Sequence, residues 1–173
     1  MRVLVTGASG FVGSRLVPAL QRQGHDVVAL VRDVGRYDAP EGVEVVEGDL
    51  LNPPVELPSV DAAYYLVHSM GSGGDFESRD RLAARTFVDS VETAGVERVV
   101  YLGGLGEDRD QLSEHLRSRR EVEHILAEGD FELTTLRAAI IVGEGSASFE
   151  LITQLADRLP VMVTPRWVRT ECQ

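Results

Sequence analysis

Within the first thirteen residues a β-branched run, Arg2–Thr6 (RVLVT), gives way to Gly7, Gly10 and Gly13, and a helical pattern follows at once. No other feature constrains the fold as tightly. Gly7 permits a tight turn out of a strand, Gly10 leaves the backbone open to close approach, and Gly13 lets the helix lie against the strand. A strand, a glycine turn and a helix in this order open a βαβ series.

The rest of the chain continues that series. Apolar spacing predicts a helix over Phe11–Gln23, interrupted by Pro18 and ended by Gly24. Asp26–Val31 (DVVALV) reads as a strand buried on both faces, as parallel strands are. Further strands are predicted at Val43–Glu47, Asp61–His68, Arg98–Leu102 and Leu133–Val142, with a possible short one at Val161–Val163. Helices are predicted at Phe76–Ala94, with Leu82, Ala83, Thr86, Phe87, Ser90 and Val91 facing inward, at Gln111–Glu128 after a cap at Asp110, and at Ser148–Leu159. Leu51–Ser59, with its prolines, reads as a loop, and Ser69–Asp75 as a glycine-rich one. About six alternations imply an α/β fold, a Rossmann-type doubly wound parallel sheet with helices on both faces. Residues 1–173 read as a single domain whose pattern stops at RTECQ without a clear finish, so the C-terminal substrate region is expected to be truncated.

Composition narrows the function. The chain has 173 residues, 43% hydrophobic and 26% charged, which excludes disorder and a coiled coil. No apolar run is long enough to cross a bilayer, and MRVLVTG passes straight into a strand-like pattern without a signal-peptide apolar stretch, so no leader is expected. Cys172 has no internal partner, which fits a reducing compartment, and a cytoplasmic location is expected. The net charge is −11, and all 17 basic residues are Arg. Such a surface disfavours nucleic acid and anionic membranes as partners. The absence of Lys removes Schiff-base and P-loop chemistry. An arginine-favouring GC-rich genome and a halophilic origin both account for this composition.

The turn Thr6–Gly13 (TGASGFVG) suits a dinucleotide, whose pyrophosphate would sit on the N–H groups and positive dipole of the helix start. TGASGFVGSRLVPALQRQGHDVVALVRD resembles the atypical and extended short-chain dehydrogenase/reductase proteins, in their NmrA-like and sugar-nucleotide-epimerase-like branch. EGDL, YYLVHSM, YLGGLG and LRAAIIVG agree with it, so that the resemblance spans essentially the whole chain. It implies an NAD(P)-binding protein, with Thr6, Gly7, Ser9, Gly10, Phe11, Val12 and Gly13 at the phosphates and Val67, His68 and Gly103 at later strand ends. Arg32, with Arg36 nearby, stands where an Arg grips the 2′-phosphate of NADP and an acid binds the ribose hydroxyls of NAD, so NADP(H) is expected over NAD(H). The alternative is a surface Arg32 paired with Asp33. Asp49 and Leu50 match the family's adenine position, although Asp49 reads equally as a turn cap.

The same resemblance puts a Ser after the fifth strand and a Tyr-x-x-x-Lys pair on the next helix. Here Gly103 and Gly104 occupy the Ser place, and the best match to the pair is His115-x-x-x-Arg119. That spacing puts His115 and Arg119 on one helical face with Leu112 and Leu116, and His115 would serve as acid/base. The competing reading is a charged, solvated helix. His68 is a second acid/base candidate, and a structural histidine is its alternative. No metal site is suggested. The leading expectation is an NAD(P)H-dependent oxidoreductase without the usual dyad, acting on a small molecule. A dinucleotide-binding or redox-sensing module without turnover is the rival, a sugar-nucleotide epimerase or dehydratase comes third, and a homo-oligomer is left open.

Overall fold

The sheet explains why the strands are so apolar. In the computed structural model, which describes residues 1–68, 76–105, 113–139 and 141–158, the strands are β1 (Arg2–Thr6), β2 (Asp26–Val31), β3 (Glu44–Glu47), β4 (Ala62–Tyr65), β5 (Arg98–Gly104) and β6 (Glu132–Ala138). They form one six-stranded sheet in the order β3-β2-β1-β4-β5-β6, the doubly wound arrangement expected from the alternation. The registers of β1 with β2 and β4, β2 with β3, and β4 with β5 are all parallel. Alternate residues of the central strands feed opposite faces. Leu4, Val28 and Leu30 join Tyr65, Phe87 and Tyr101 on one side, while Val3, Val5, Val27 and Ala29 meet Val17 and Leu20 on the other.

Helix α1 (Gly13–Arg22) covers the second face through Val17 and Leu20. It runs on through Pro18 and ends at Gly24, whose φ of +80° lets His25 N–H reach the Leu20 carbonyl at 3.1 Å. Helices α2 (Phe76–Thr93) and α3 (Glu114–Ala127) cover the first face side by side. Glu77 pairs with Arg117 and Arg81 with Glu121, so the two helices run in the same direction and in register. The chain divides into two units, Met1–Arg137 and Ala138–Gln173. In the second, helix α4 (Ala147–Arg158) starts at Ser146, whose Oγ accepts from the Gly143 and Phe149 N–H groups.

Several elements depart from expectation. β4 stops at Tyr65 rather than His68, because β1 ends opposite it at Thr6. Beyond that point Leu66 N–H bonds to the Thr6 hydroxyl instead of a neighbouring strand. β6 stops at Ala138 rather than Val142. Leu82 is 41% exposed, and the inward position is taken by Asp80, in phase with Ala83, Phe87 and Val91. The cap of α3 is Ser113, whose Oγ accepts from Leu116 N–H. Asp110, Leu112, the loop Ser69–Asp75, the strand Val161–Val163 and Cys172 lie outside the described residues. Among the described residues no helix is long and apolar enough to cross a membrane.

Candidate functional site

Three glycines at the end of β1 serve three purposes. Gly7 has φ +72°, which side-chain-bearing residues rarely adopt, and a Cβ there would come within 3.0 Å of the Leu66 carbonyl. At Gly13 a Cβ would be driven into the Gly7 carbonyl oxygen and the Ala8 backbone, so this glycine is what brings α1 down onto the turn. At Gly10 a Cβ would meet only the Gly7 carbonyl oxygen, at 3.2 Å. The protein's own packing barely needs Gly10 to be bare. Its open side faces the cleft it lines, which leaves room for a group such as a pyrophosphate to lie against the backbone.

That cleft holds about 460 Å³ and lies beyond the C-terminal ends of β1, β2, β3 and β4. Of the residues singled out in the sequence, Thr6, Gly7, Ser9, Gly10, Arg32, Asp49, Leu50, Val67 and His68 line it. Phe11, Val12, Gly13, Arg36, Gly103, His115 and Arg119 are not among its lining residues. Thr6 is buried, and its hydroxyl donates to the Tyr64 carbonyl and accepts from Leu66 N–H, tying β1 to β4. Phe11 lies under the Arg15 guanidinium, 4.0 Å from its ring centre. Gly103 is an inner residue of β5, where a Cβ would press on the Tyr101 ring.

The charged groups around the cleft sort themselves. Arg32 is exposed and has no partner among the described residues. Asp33 does not pair with it. The Asp33 carboxylate instead caps a short 3₁₀ turn, accepting from Gly35 N–H at 3.0 Å and pairing with Arg36 at 3.2 Å. Asp49 is the turn cap that its sequence also allowed: its two oxygens accept from Leu51 N–H and the Asn52 side chain. Arg79, near the start of α2, lines the cleft without a partner among the described residues, and the sequence reading missed it. Nothing in a polar, exposed helix turn marks one Arg as facing a cleft.

Near the end of β4 the two histidine candidates meet. The rings of His68 and His115 are 4.7 Å apart and edge to face. His68 is nearly enclosed, with 12% of its side chain exposed, while His115 is exposed at its outer side. Partial burial, then the neighbouring His68 and Arg119, lower the His115 pKa below the usual imidazole value, with Asp80 pulling the other way. Tyr65 and Tyr101 lie behind them, and burial raises both phenols. The Tyr101 hydroxyl donates to the Arg119 carbonyl, so neither tyrosine is placed to serve as the missing acid/base. Among the described residues no cluster of His, Cys, Asp and Glu could hold a metal ion.

Residues 7–166 match the family described as NAD(P)H-binding. The chain belongs to that family. The chain is 28% identical to a 2-alkyl-3-oxoalkanoate reductase of Stenotrophomonas maltophilia, across 91% of its own length and 56% of the relative's. It is 30% identical to a ceramide reductase of Caulobacter vibrioides, across 92% of its own length and 52% of the relative's. It thus spans about half the length of these curated relatives. The fold is that of the Bordetella bronchiseptica enzyme WbmH, solved with NAD+, at a TM-score of 0.72 and 18% identity, covering 90% of this chain and 62% of that one.

Proposed function

We propose that this family member carries out NADP(H)-dependent reduction of a carbonyl in a small molecule, or the reverse oxidation of an alcohol. The observation that supports it is one cleft lined by the glycine turn, by Arg32 and by His68. The dinucleotide, when bound, supplies or accepts the hydride. The remaining work falls to the chain. The bare backbone of the glycine turn, at the positive end of α1, holds the pyrophosphate. Arg32, exposed and unpaired among the described residues, takes a 2′-phosphate. The nearby acid that would favour NAD, Asp33, is already engaged by Arg36 and Gly35. His68 moves the proton to or from the substrate oxygen, and exposed His115 against its ring connects it with water.

The relatives' names direct the choice of substrate to 3-oxoalkanoates and sphingolipid ketones. The test mixes the chain with NADPH deuterated at the nicotinamide and a panel of such ketones, and follows deuterium into product by mass spectrometry. Transfer that is lost in His68→Gln, while NADPH still binds, supports the proposal. Binding with no transfer to any panel member favours a dinucleotide-sensing module instead. The observation behind that second reading is that Gly103 and Gly104 stand where the resemblance puts a Ser, in a chain without Lys.

A further inference from the structure

Helices α2 and α3 press a carboxylate between them. Asp80 is 4% exposed and stands in line with Ala83, Ala84 and Phe87 on the apolar stripe of α2. An ionised carboxylate withdrawn from water costs several kcal/mol unless its partners are well placed, so a structure that buries one has a use for it. The facing residue of α3, Ser118, is 1% exposed, in line with Val122, Ile125 and Leu126, and its Oγ donates to Asp80 Oδ2 at 2.9 Å. The same Oδ2 lies 3.7 Å from Nδ1 of His68. Both ring nitrogens of His68 are buried and have no hydrogen-bond partner among the described residues. A neutral imidazole carries a proton on one nitrogen and an acceptor lone pair on the other, so His68 holds an unmet donor as well as an unmet acceptor.

We infer that Asp80, held in place by Ser118, is a positioning residue that takes the Nδ1 proton of His68 and leaves Nε2 as the nitrogen that exchanges a proton with the ligand. The gap of 3.7 Å exceeds a hydrogen bond. It closes with a movement of about 1 Å, and bonds of this kind are commonly long in sites without ligand. A fixed tautomer makes the imidazole ready for one direction of transfer, and an adjacent carboxylate stabilises the imidazolium once formed. The other titratable groups that act on this pair are the His115 ring, 4.7 Å from that of His68, Arg119 of α3, Tyr65 of β4 and Tyr101 of β5. None of these carries the carboxylate that Nδ1 needs. The inference deepens the proposed function, since it concerns the residue given the proton there.

The test reads the tautomer directly, on the full chain without cofactor. Long-range proton–nitrogen correlation spectra of histidine-labelled protein at mildly alkaline pH report which nitrogen carries the proton, and the signal missing in His68→Gln assigns His68. The expected result is an Nδ1–H tautomer in the parent chain. It is retained in Ser118→Ala, which keeps the carboxylate. It shifts to the Nε2–H form favoured by free imidazole in Asp80→Ala. An Nε2–H His68 in the parent chain overturns the inference, and so does an unchanged tautomer in folded Asp80→Ala. If that variant does not fold, the parent spectrum decides alone. NADPH titration of the parent sample decides the proposed function separately, because the tautomer is read without any nucleotide.

Discussion

Gly10 and Gly13 are both bare backbone, yet they answer to different partners, and substitution separates them. A side chain at 13 strikes the turn itself, so Gly13→Val should destabilise the fold by about 1–3 kcal/mol or more. A side chain at 10 meets little of the protein, so Gly10→Val should fold and lose NADPH binding in calorimetric titration. Unchanged affinity in folded Gly10→Val would remove the pyrophosphate from this turn. For Arg32, a charge-assisted bond is typically worth roughly 1.5–3 kcal/mol, about one to two orders of magnitude in affinity. Arg32→Ala should therefore shrink the NADP-over-NAD preference by that factor, mainly by weakening NADP. Equal affinities in the parent chain would show that Arg32 makes no such contact. His115 gives a pH signature. Its pKa is lowered in the folded chain, so as pH falls through the ordinary imidazole value of about 6.5 the unfolded chain takes up a proton that the folded one resists. Its contribution to stability is present above the unfolded value and is lost as pH falls through the folded one. Denaturation midpoints across that window should fall less steeply in His115→Gln.

The elements show where periodicity sufficed as a guide. β1, β2 and α2 were legible because their apolar spacing is set by the burial that forms them. The phase of α2 was not fully legible. Leu82 looked like a core residue by type, and Asp80 looked like surface, whereas the helix turns the first outward and the second inward. One polar residue in step with each of two facing apolar stripes, Asp80 on α2 and Ser118 on α3, was the available signal. It needs the knowledge that the helices face one another, which a single sequence does not carry. The glycine turn and Arg32 were legible at the cleft because each directly follows a strand, β1 or β2, whose end the cleft adjoins. Arg79 and the meeting of His68 with His115 depend on tertiary placement alone. The phase is testable by stability. Phe87→Ala, fully buried between α2 and the sheet, should cost about 3–5 kcal/mol, while Leu82→Ala on the outward face should cost well under about 1 kcal/mol. Urea midpoints compare them, and similar losses for both would mean that α2 is rotated from this phase.

At the scale of the whole molecule, a net charge of −11 opposes compaction. Among the described residues every cation of the surface pairs is an Arg, as in Arg117 with Glu77 and Arg81 with Glu121, and these leave most of the acidic excess uncompensated. The screening length shrinks from about 10 Å at 0.1 M salt to about 3 Å at 1 M. If the composition is a halophile's, the melting temperature should climb steeply as KCl enters the molar range. Comparison with sulfate at equal ionic strength separates screening from strengthened apolar burial. A flat KCl curve assigns the missing lysines to codon usage instead.

Among the described residues the cleft is lined by residues between Thr6 and Ala83, so the proposed nucleotide site is continuous in sequence although the sheet is not. Ligand binding therefore does not tighten the molecule evenly. With NADPH at about 100 times its dissociation constant, the native state gains about 2.7 kcal/mol against global unfolding. Partial openings that release β1, β2 or the turn after β3 are suppressed by that amount, while openings confined to α3 and β6 lose no nucleotide contact and continue as before. Amide exchange should consequently slow across the first half of the chain and hardly change in Glu114–Ala127, leaving the helix that carries His115 as the more labile wall of its own site.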